Sequence, residues 1–203
     1  MKRILLVAAL TFAFPGFAAS APLIGLTLGL PSAKGKKSDE VHSNSTSYSF
    51  IFGVNGTGNF SFESGYTQMA DIEDKYADNQ KLEASISGIY ISGRYSRQFS
   101  ESSFGYAKLG AYRWSASVRE VNDSSETLEA DNDYSHNVDG YAPMFALGAD
   151  FLLGEDRDFG VRVEFEHVTD VGGGVRLKSV NRVRDIAEGY EYNRFALGVV
   201  MAL

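Results

Sequence analysis

FGVRVEFEHV, residues 159–168, alternates strictly between apolar and polar side chains. Successive side chains of a β-strand point to opposite faces, so one face carries two phenylalanines and two valines. The other face carries a glycine and three charged residues: Gly160, Arg162, Glu164 and Glu166. In a soluble sandwich the apolar face would form the core and the charged face would meet water. The same alternation recurs along the chain at lengths that suit a bilayer, behind an export signal, so the apolar face is predicted to meet lipid.

The first residues have the three regions of a signal peptide. A basic start, MKR, is followed by the apolar run 4–14, a Pro-Gly break and the small residues 18–21. About 11 apolar residues are too few for a spanning helix, which needs about 20. We therefore expect a signal peptide over residues 1–21, cleaved between residues 18 and 21, and a mature domain over residues 22–203.

Composition excludes several classes of function. Without Lys2 and Arg3 the chain has 17 basic and 26 acidic residues, a net charge of −9, which disfavours a nucleic-acid partner. It has no cysteine, and hence no disulfide, metal-thiolate site or cysteine nucleophile. No later apolar run approaches the length of a spanning helix. A mature chain that enters a membrane must then do so as a closed barrel, because unpaired strand edges are not tolerated in lipid.

Eight alternating segments predict the fold. Strands are expected over residues 23–30, 48–54, 59–68, 82–96, 104–118, 142–153, 159–168 and 194–203, with a bulge near residues 87–88. Long polar connections are expected over residues 31–46, 69–80, 120–139 and 169–189, and they alternate with short turns. This asymmetry is typical of outer-membrane barrels. The prediction is an all-β, eight-stranded antiparallel up-and-down transmembrane β-barrel, with a soluble lipocalin-like barrel as the alternative.

Several segments together resemble one family. They are PMFALGAD (143–150), VRVEFE (161–166), FALG (195–198), FESGYT (62–67) and YAKLG (106–110). Their order and spacing are similar to those of the OmpA-like transmembrane barrel, over essentially the whole mature chain. The resemblance implies an ionic cluster inside the lumen, at the matching positions Glu63, Arg94, Asp150 and Arg162, with Lys108 and Glu164 beside them. From these positions we expect Glu63 to face Arg162 and Arg94 to face Asp150.

The sequence departs from this family in two ways. It ends at Leu203, where the family usually has an aromatic residue, although Met201 and Leu203 keep the spacing of the assembly signal. It also stops at the barrel, so no cell-wall tethering is implied. Its layout is closer to the small barrel-only relatives of the OmpX and Ail type, some of which act in adhesion and serum resistance. The implied function is a structural or surface-interaction role, in adhesion or envelope integrity, through four long extracellular loops.

Two alternatives to this function are a channel and an enzyme. A small porin-like channel is the alternative, although eight strands leave an interior only wide enough for side chains. A lipid-modifying hydrolase is a weaker alternative, since His167 and Thr169 share a face but no acidic partner is evident, and no catalytic residue is predicted. Asp131-Asn132-Asp133 lacks the spaced Glu and Gly of a calcium loop, so no metal or cofactor is expected.

Closure of the barrel predicts the charge of its outer rim. The first and last strands pair in an eight-stranded meander, so the loops 31–46 and 169–189 become neighbours. They form a candidate site for an anion or lipopolysaccharide, the basic sector, at Lys34, Lys36, Lys37, Arg176, Lys178, Arg182 and Arg184. The expected location is the outer membrane of a Gram-negative bacterium. The expected partners are membrane lipid, lipopolysaccharide, the barrel-assembly machinery and a host or phage surface ligand, with the protein itself a monomer.

Overall fold

A computed structural model describes residues 22–35, 42–43, 46–56, 58–77, 80–122, 135–154, 158–171, 175–179, 182–186 and 190–203. The predicted signal peptide lies outside these residues. Eleven strands occur in this part of the chain: β1 (Pro22–Gly35), β2 (His42–Ser43), β3 (Ser47–Asn55), β4 (Phe60–Ala77), β5 (Gln80–Ser100), β6 (Ser103–Asn122), β7 (Ser135–Leu153), β8 (Phe159–Val171), β9 (Val175–Ser179), β10 (Arg182–Ile186) and β11 (Tyr190–Ala202). No helix long and apolar enough to cross a membrane occurs among the described residues.

Eight of these strands close into a ring, in the order β4-β3-β1-β11-β8-β7-β6-β5, with β5 pairing back to β4. All these pairings are antiparallel. Chain neighbours are also barrel neighbours, apart from the small insertions β2, β9 and β10. The predicted eight-stranded up-and-down barrel is therefore confirmed.

The strands are staggered, as closure requires. Arg162 of β8 pairs directly with Asp150 of β7. Following partners from Arg162 the other way round the ring leads to Gly140 of β7, ten residues from Asp150, through Gly198, Thr27, Ser49, Thr67, Gly88 and Trp114. A shift of this size goes with strands strongly tilted to the barrel axis, typically by about 35–45°.

The barrel has two unlike ends. At one, the turn end, β3–β4, β5–β6 and β7–β8 are joined by short connections, and Leu203 N–H donates to the carbonyl of Pro22 (2.8 Å). At the other, the extended end, β4 to β7 continue well past their neighbours. The predicted long loop 69–80 is wrong, because β4 runs to Ala77 and β5 starts again at Gln80. The other long connections also contain strand: β1 continues to Gly35, β7 begins at Ser135, and residues 175–186 include the hairpin β9–β10.

These errors have one physical cause, which β6 makes visible. Near its middle, Lys108 points inward and is 1% exposed while Leu109 points outward and is 72% exposed. Further toward the extended end the chemistry is reversed, since Arg113 is exposed and Trp114 is buried inside. The pairing of β6 is continuous between these points, so the faces keep their direction. Lipid favours apolar residues on the outer face of the barrel, whereas water favours polar ones there. The alternation expected for a lipid-facing strand therefore ends where the barrel leaves the membrane.

Two β-bulges lie toward the extended end, one in β4 and one in β8. One extra residue lies in β4 between Gln68 and Asp71, opposite β5. A second lies in β8 opposite Tyr190–Tyr192, where Asp170 has a φ of 59°. Each bulge leaves an aspartate exposed, and in β8 it turns Val171 inward. The predicted bulge at residues 87–88 is wrong, because those residues pair regularly and the extra residue belongs to the partner strand.

Candidate functional site

The site is defined by the contrast between an apolar outer wall and a charged interior. On β11 and at Leu203, which follows it, the outward positions 195, 197, 199, 201 and 203 are all large, apolar and exposed. This stretch spans about 27 Å along the strand and about 20 Å along an axis tilted by about 40°. A lipid-facing band of a bacterial barrel is about 25 Å tall, so the wall has the dimensions of a membrane-spanning surface.

Eight charged side chains lie buried inside the described barrel, four acidic and four basic, so that their formal charges cancel. They are Glu63, Asp150, Glu164, Glu166, Arg94, Lys108, Arg162 and Arg194. All six positions implied by the family resemblance are among them. A buried charge costs several kcal/mol unless it is paired, so a balanced set is what a closed lumen requires.

Arg162 is the centre of the network. Its Nη1 and Nη2 each lie 3.0 Å from an oxygen of Glu63, and its Nε lies 2.8 Å from Asp150 Oδ1. Strands β8 and β4 are four positions apart in either direction round the ring, so the contact with Glu63 crosses the full width of the lumen. Such paired guanidinium contacts are charge-assisted and geometrically specific.

The expected contacts Glu63–Arg162 and Arg94–Asp150 are both present, but they do not form separate pairs. Arg94 donates to Glu63 (2.8 Å) as well as to Asp150 (2.7 Å). Lys108 Nζ lies 2.5 Å from both Glu63 and Glu164. Each carboxylate thus shares its cations with another, and the site is a network with Glu63 contacting three bases.

Tyr106 also belongs to this network. Its hydroxyl donates to Glu164 (2.7 Å), and its ring lies 4.0 Å from the guanidinium carbon of Arg94. A cation over an aromatic face is stabilised by the ring quadrupole, most strongly when water is excluded. The neighbouring Gly148 makes this possible, because a Cβ there would overlap the tyrosine.

Sequence reasoning missed a second charged group, which lies closer to the extended end than the network around Arg162. Arg194 of β11 donates to Glu166 Oε2 (3.3 Å) and, through Nη1, to the hydroxyl of Ser49. Ser49 in turn exchanges a hydrogen bond of 2.7 Å with Thr67. The alternation already placed Glu166 on the polar face, and Arg194 lies on the face opposite Phe195. Both residues were therefore detectable from the same pattern.

An apolar layer covers the charged network toward the extended end. Its buried members are Met69, Ile86, Tyr90, Tyr112, Trp114, Ala116, Ala142, Met144, Ala146, Val168, Val171 and Tyr192. Glycines on adjacent strands make room for the large rings: a Cβ on Gly88 would lie 2.6 Å from Tyr112, and one on Gly140 would lie 2.5 Å from Trp114. The glycine-rich lumen face is thus filled by aromatic and arginine side chains.

The basic sector is only partly described. Lys34 lies in β1 at the register position opposite Glu191, while Arg176 and Lys178 lie in β9. Arg182 and Arg184 lie in β10, and Lys36 and Lys37 lie outside the described residues. The pairing of β1 with β11 up to Gly35–Tyr190 brings the two connections side by side, but the register of β9 and β10 divides the four hairpin bases between two faces. A single basic sector stays a prediction.

The hydrolase alternative gains no support from the contacts of His167. Its Nδ1 lies 2.7 Å from the amide oxygen of Asn193, and its face of β8 is the outer one. The described residues contain no group of three or more histidine, aspartate or glutamate side chains arranged to hold a metal ion. Asp131-Asn132-Asp133 lies outside the described part of the chain.

A closed ring of eight tilted strands, apolar outside and charged within, defines a small transmembrane β-barrel. The chain belongs to the family of the OmpA-like transmembrane domain, whose model matches residues 23–197. Comparison with curated protein sequences gives no significant match.

Solved structures of outer-membrane barrels share the fold at low sequence identity. Neisserial surface protein A has a TM-score of 0.60 at 11% identity, over 90% of this chain and 97% of that one. Ail of Yersinia pestis has a TM-score of 0.54 at 9% identity, over 91% and 99%. OprG of Pseudomonas aeruginosa has a TM-score of 0.52 at 11% identity, over 91% and 96%. The chain is thus a small outer-membrane barrel, and the similarity at these identities concerns the fold.

Proposed function

We propose that this protein, exported by the signal peptide over residues 1–21, resides in a Gram-negative outer membrane as a barrel without a permanent pore. Its role is structural or in surface interaction, exercised at the extended end. The single observation that carries the proposal is the contact of Arg162 with Glu63 across the lumen. A side-chain bridge across the full width blocks the path that a diffusing solute would need.

The side chains around the bridge, and the apolar layer between it and the extended end, support the same conclusion. Eight strands leave an interior just wide enough for side chains to fill. Arg94, Lys108 and Tyr106 occupy the level of the bridge, and the apolar layer lies above it. An ion would have to displace paired charges and then cross apolar side chains, each at a cost of several kcal/mol.

Conductance of the purified, folded barrel in a planar bilayer tests the proposal. We expect no stable unitary conductance from the natural sequence. The double variant Glu63→Ala with Arg162→Ala removes one charge of each sign, keeps the lumen neutral, and should increase ion leakage because the bridge is gone. A steady ohmic channel in the natural protein, no smaller than that of the double variant, would reject the proposal in favour of a porin.

The orientation of the barrel follows from the asymmetry of its ends. Outer-membrane barrels carry short turns on the periplasmic side, which assigns the turn end to the periplasm. Cysteines at Thr57 and Asp156 should then stay unlabelled by an impermeant thiol reagent on intact cells, whereas Tyr141→Cys, at an exposed position of the extended end, should react. The reverse pattern of labelling would invert the orientation and remove the surface role.

The ligand of the extended end is the second part of the proposal. The basic sector would hold lipopolysaccharide phosphates of the same membrane, or an anionic host or phage surface. Ail of Yersinia pestis has been crystallised with the heparin analogue sucrose octasulfate, a polyanion bound by a protein of this fold. Exposed charges are screened beyond about 8 Å at physiological ionic strength, so either contact should weaken with salt.

Lipopolysaccharide retention by the purified barrel separates these ligands. Replacing all seven bases of the sector by Gln should lower retention and its salt dependence, while Arg97→Gln, at an exposed position near the turn end, serves as the control. Unchanged retention across a salt series would exclude the lipopolysaccharide role and leave adhesion. We further propose that the barrel is a monomer.

A further inference from the structure

The lipid-facing wall carries one charged side chain among the residues that the structure describes, that of Arg97. Its outward direction follows from the alternation along β5, because Arg94 is buried in the lumen while Tyr95 and Phe99 are 45% and 63% exposed. The outward positions of the other seven barrel strands hold no charge from the turn end up to residues 30, 48, 66, 111, 145, 165 and 195. Arg97 therefore interrupts a surface that is otherwise suited to lipid.

Arg97 lies near the edge of this wall. Phe99 follows it by two residues, about 5 Å along an axis from which the strand is tilted by about 40°. Phe151, Leu153 and Leu203 are further exposed apolar side chains at the turn end. A charge on the lipid face destabilises a barrel least near the membrane boundary. The apolar stem of an arginine can stay against lipid while its guanidinium extends outward, so this guanidinium is expected at the depth of the headgroups.

No described protein group neutralises this guanidinium. The ion pairs of the described residues involve other cations, namely Arg94, Lys108, Arg113, Arg162 and Arg194. The residue opposite Arg97 on β6 is Gly105, which has no side chain, and the buried carboxylates lie on the inner side of the wall. A cation beside hydrocarbon is stabilised most by a nearby anion, and none of the described residues supplies one here.

The anion available at this depth is the phosphate of a phospholipid. Headgroups border the hydrocarbon core on both sides of a bilayer, and the turn end is assigned to the periplasmic side. A guanidinium is planar and presents its N–H groups as a fork, which matches two oxygens of a phosphate. Arg97 thus has the charge, the shape and the depth that a lipid phosphodiester requires.

Asn59 and Tyr95 bring further polar groups to the same place. The carbonyl of Asn59 accepts a hydrogen bond from the N–H of Ser96 (2.8 Å), which sets Asn59 beside Arg97 on the side of β4. Its side-chain amide donates to the hydroxyl of Tyr95 (3.4 Å). Because the hydroxyl accepts in this contact, its own hydrogen can be donated to a phosphate oxygen. Two donors, a guanidinium and a phenol, therefore lie on one face of β5.

Aromatic rings and a recess frame these donors. The rings of Phe60 and Tyr95 have centroids 5.0 Å apart, and those of Phe99 and Phe151 are 6.4 Å apart. A Cβ on Gly105 would meet only ring carbons of Phe99, at 3.7 and 3.8 Å, so the wall is low beside the guanidinium. Aromatic girdles mark the interfaces of transmembrane barrels. An acyl chain can lie against the recess while the phosphate stays at the level of the rings.

We propose that Arg97 anchors a binding site for one phospholipid of the periplasmic leaflet, whose phosphodiester is held by the guanidinium and by the hydroxyl of Tyr95. One acyl chain lies over Gly105. The choice of leaflet rests on the orientation given under the proposed function, whereas the site itself rests on the residues of the wall. It lies at the opposite end of the barrel from the basic sector.

Native mass spectrometry of the purified, folded barrel measures this binding. The probe is phosphatidylglycerol, titrated in a detergent that contains no phosphate. We expect the apparent Kd to rise at least about fivefold in Arg97→Gln, because a hydrogen bond to a charged group is lost. Arg97→Lys should give an intermediate Kd, since an ammonium keeps the charge but lacks the fork. Tyr95→Phe should raise the Kd by about two- to threefold.

Arg113→Gln supplies the matched control. Arg113 is an exposed arginine on the neighbouring strand β6, but it lies toward the extended end and already pairs with Asp139. Its replacement should leave the Kd unchanged. Two further probes separate the parts of the ligand. Diacylglycerol lacks the phosphate and should bind far more weakly, and inorganic phosphate lacks the acyl chains and should not compete.

Several results would overturn the proposal. An unchanged Kd in Arg97→Gln would leave the guanidinium in contact with water alone, and an equal loss in Arg113→Gln would indicate attraction to net charge. Equal binding of diacylglycerol would exclude the phosphate, and competition by inorganic phosphate would indicate a site for a free anion. The fluorescence of buried Trp114 verifies that each variant is folded. These readouts use neither conductance nor labelling of cells, so the site can fail while the proposed function stands.

Discussion

Replacing Glu63 by Gln tests whether the lumen charges act as one network. The carboxylate contacts Arg94 (2.8 Å), Lys108 (2.5 Å) and Arg162 (3.0 Å), and it is 3% exposed. Glutamine keeps the volume but leaves three buried cations beside a neutral group, with one positive charge in excess. Removing one partner of a buried ion pair costs about 3–5 kcal/mol, and we expect the free energy of unfolding to fall by this amount.

Three companion variants isolate the cause. Glu63→Gln with Lys108→Gln restores a neutral lumen, so the double variant should be more stable than Glu63→Gln alone. Its loss of unfolding free energy should be smaller than the sum of the two single losses, by a coupling of about 1–3 kcal/mol. Arg113→Gln breaks an ion pair with Asp139 in which both side chains are more than 60% exposed. It should lower the free energy of unfolding by less than about 1 kcal/mol. Exchanging the charges of Glu63 and Arg162 should not rescue stability, because an arginine at position 63 would face Arg94 and Lys108.

Trp114 allows the unfolding of these variants to be followed by fluorescence. It is the only tryptophan of the chain and is 2% exposed inside the apolar layer, so its fluorescence reports unfolding in denaturant. All variants are compared in the same lipid or detergent, at one protein concentration. A loss below about 1 kcal/mol for Glu63→Gln, or strict additivity in the double variant, would refute the network and its role in closing the lumen.

Two further predictions concern backbone positions. Gly88→Ala should lower the free energy of unfolding by about 1–3 kcal/mol, because its Cβ would lie 2.6 Å from the ring of Tyr112, while Gly93→Ala, with no atom within 4 Å, should be nearly neutral. Asp170→Gly should be neutral or stabilising in the same denaturant titration and Asp170→Val destabilising by about 1–2 kcal/mol, since only glycine adopts a φ of 59° without strain. Equal effects of the two Asp170 variants would show that the bulge is not maintained by backbone conformation.

Within the lipid-spanning part, the sequence was sufficient to predict the face on which each side chain lies. Alternation placed Arg162 and Glu164 on one face and Phe165 on the other, and the structure agrees residue by residue. It succeeded because lipid outside and a narrow lumen inside impose opposite requirements on successive side chains. The charged positions implied by the family resemblance were brought together for the same reason, since only the inner face can pair them.

Beyond the membrane, the sequence predicted loops where the structure has strands. Asp71 and the acidic residues after it suggested a loop, yet β4 continues through them. Polar and acidic residues outside and apolar ones inside suit a sheet surrounded by water, and no local signal marks where lipid gives way to water. The bulge lies in β4 before Asp71, whereas the sequence predicted one near residues 87–88 of β5.

The sequence by itself determined the fold class, the number of barrel strands and the face on which each of the six expected lumen charges lies, because these depend on a period of two. Only the tertiary structure decided that the expected contacts merge into one network, in which Glu63 meets Arg94 and Lys108 as well as Arg162. Glu63 and Arg162 are 99 residues apart and lie on opposite walls, so their contact depends on closure, stagger and the width of the ring. The same closure decided that the described ladder between β7 and β8 begins at Met144, next to Pro143, because a missing N–H matters only where a particular strand needs it.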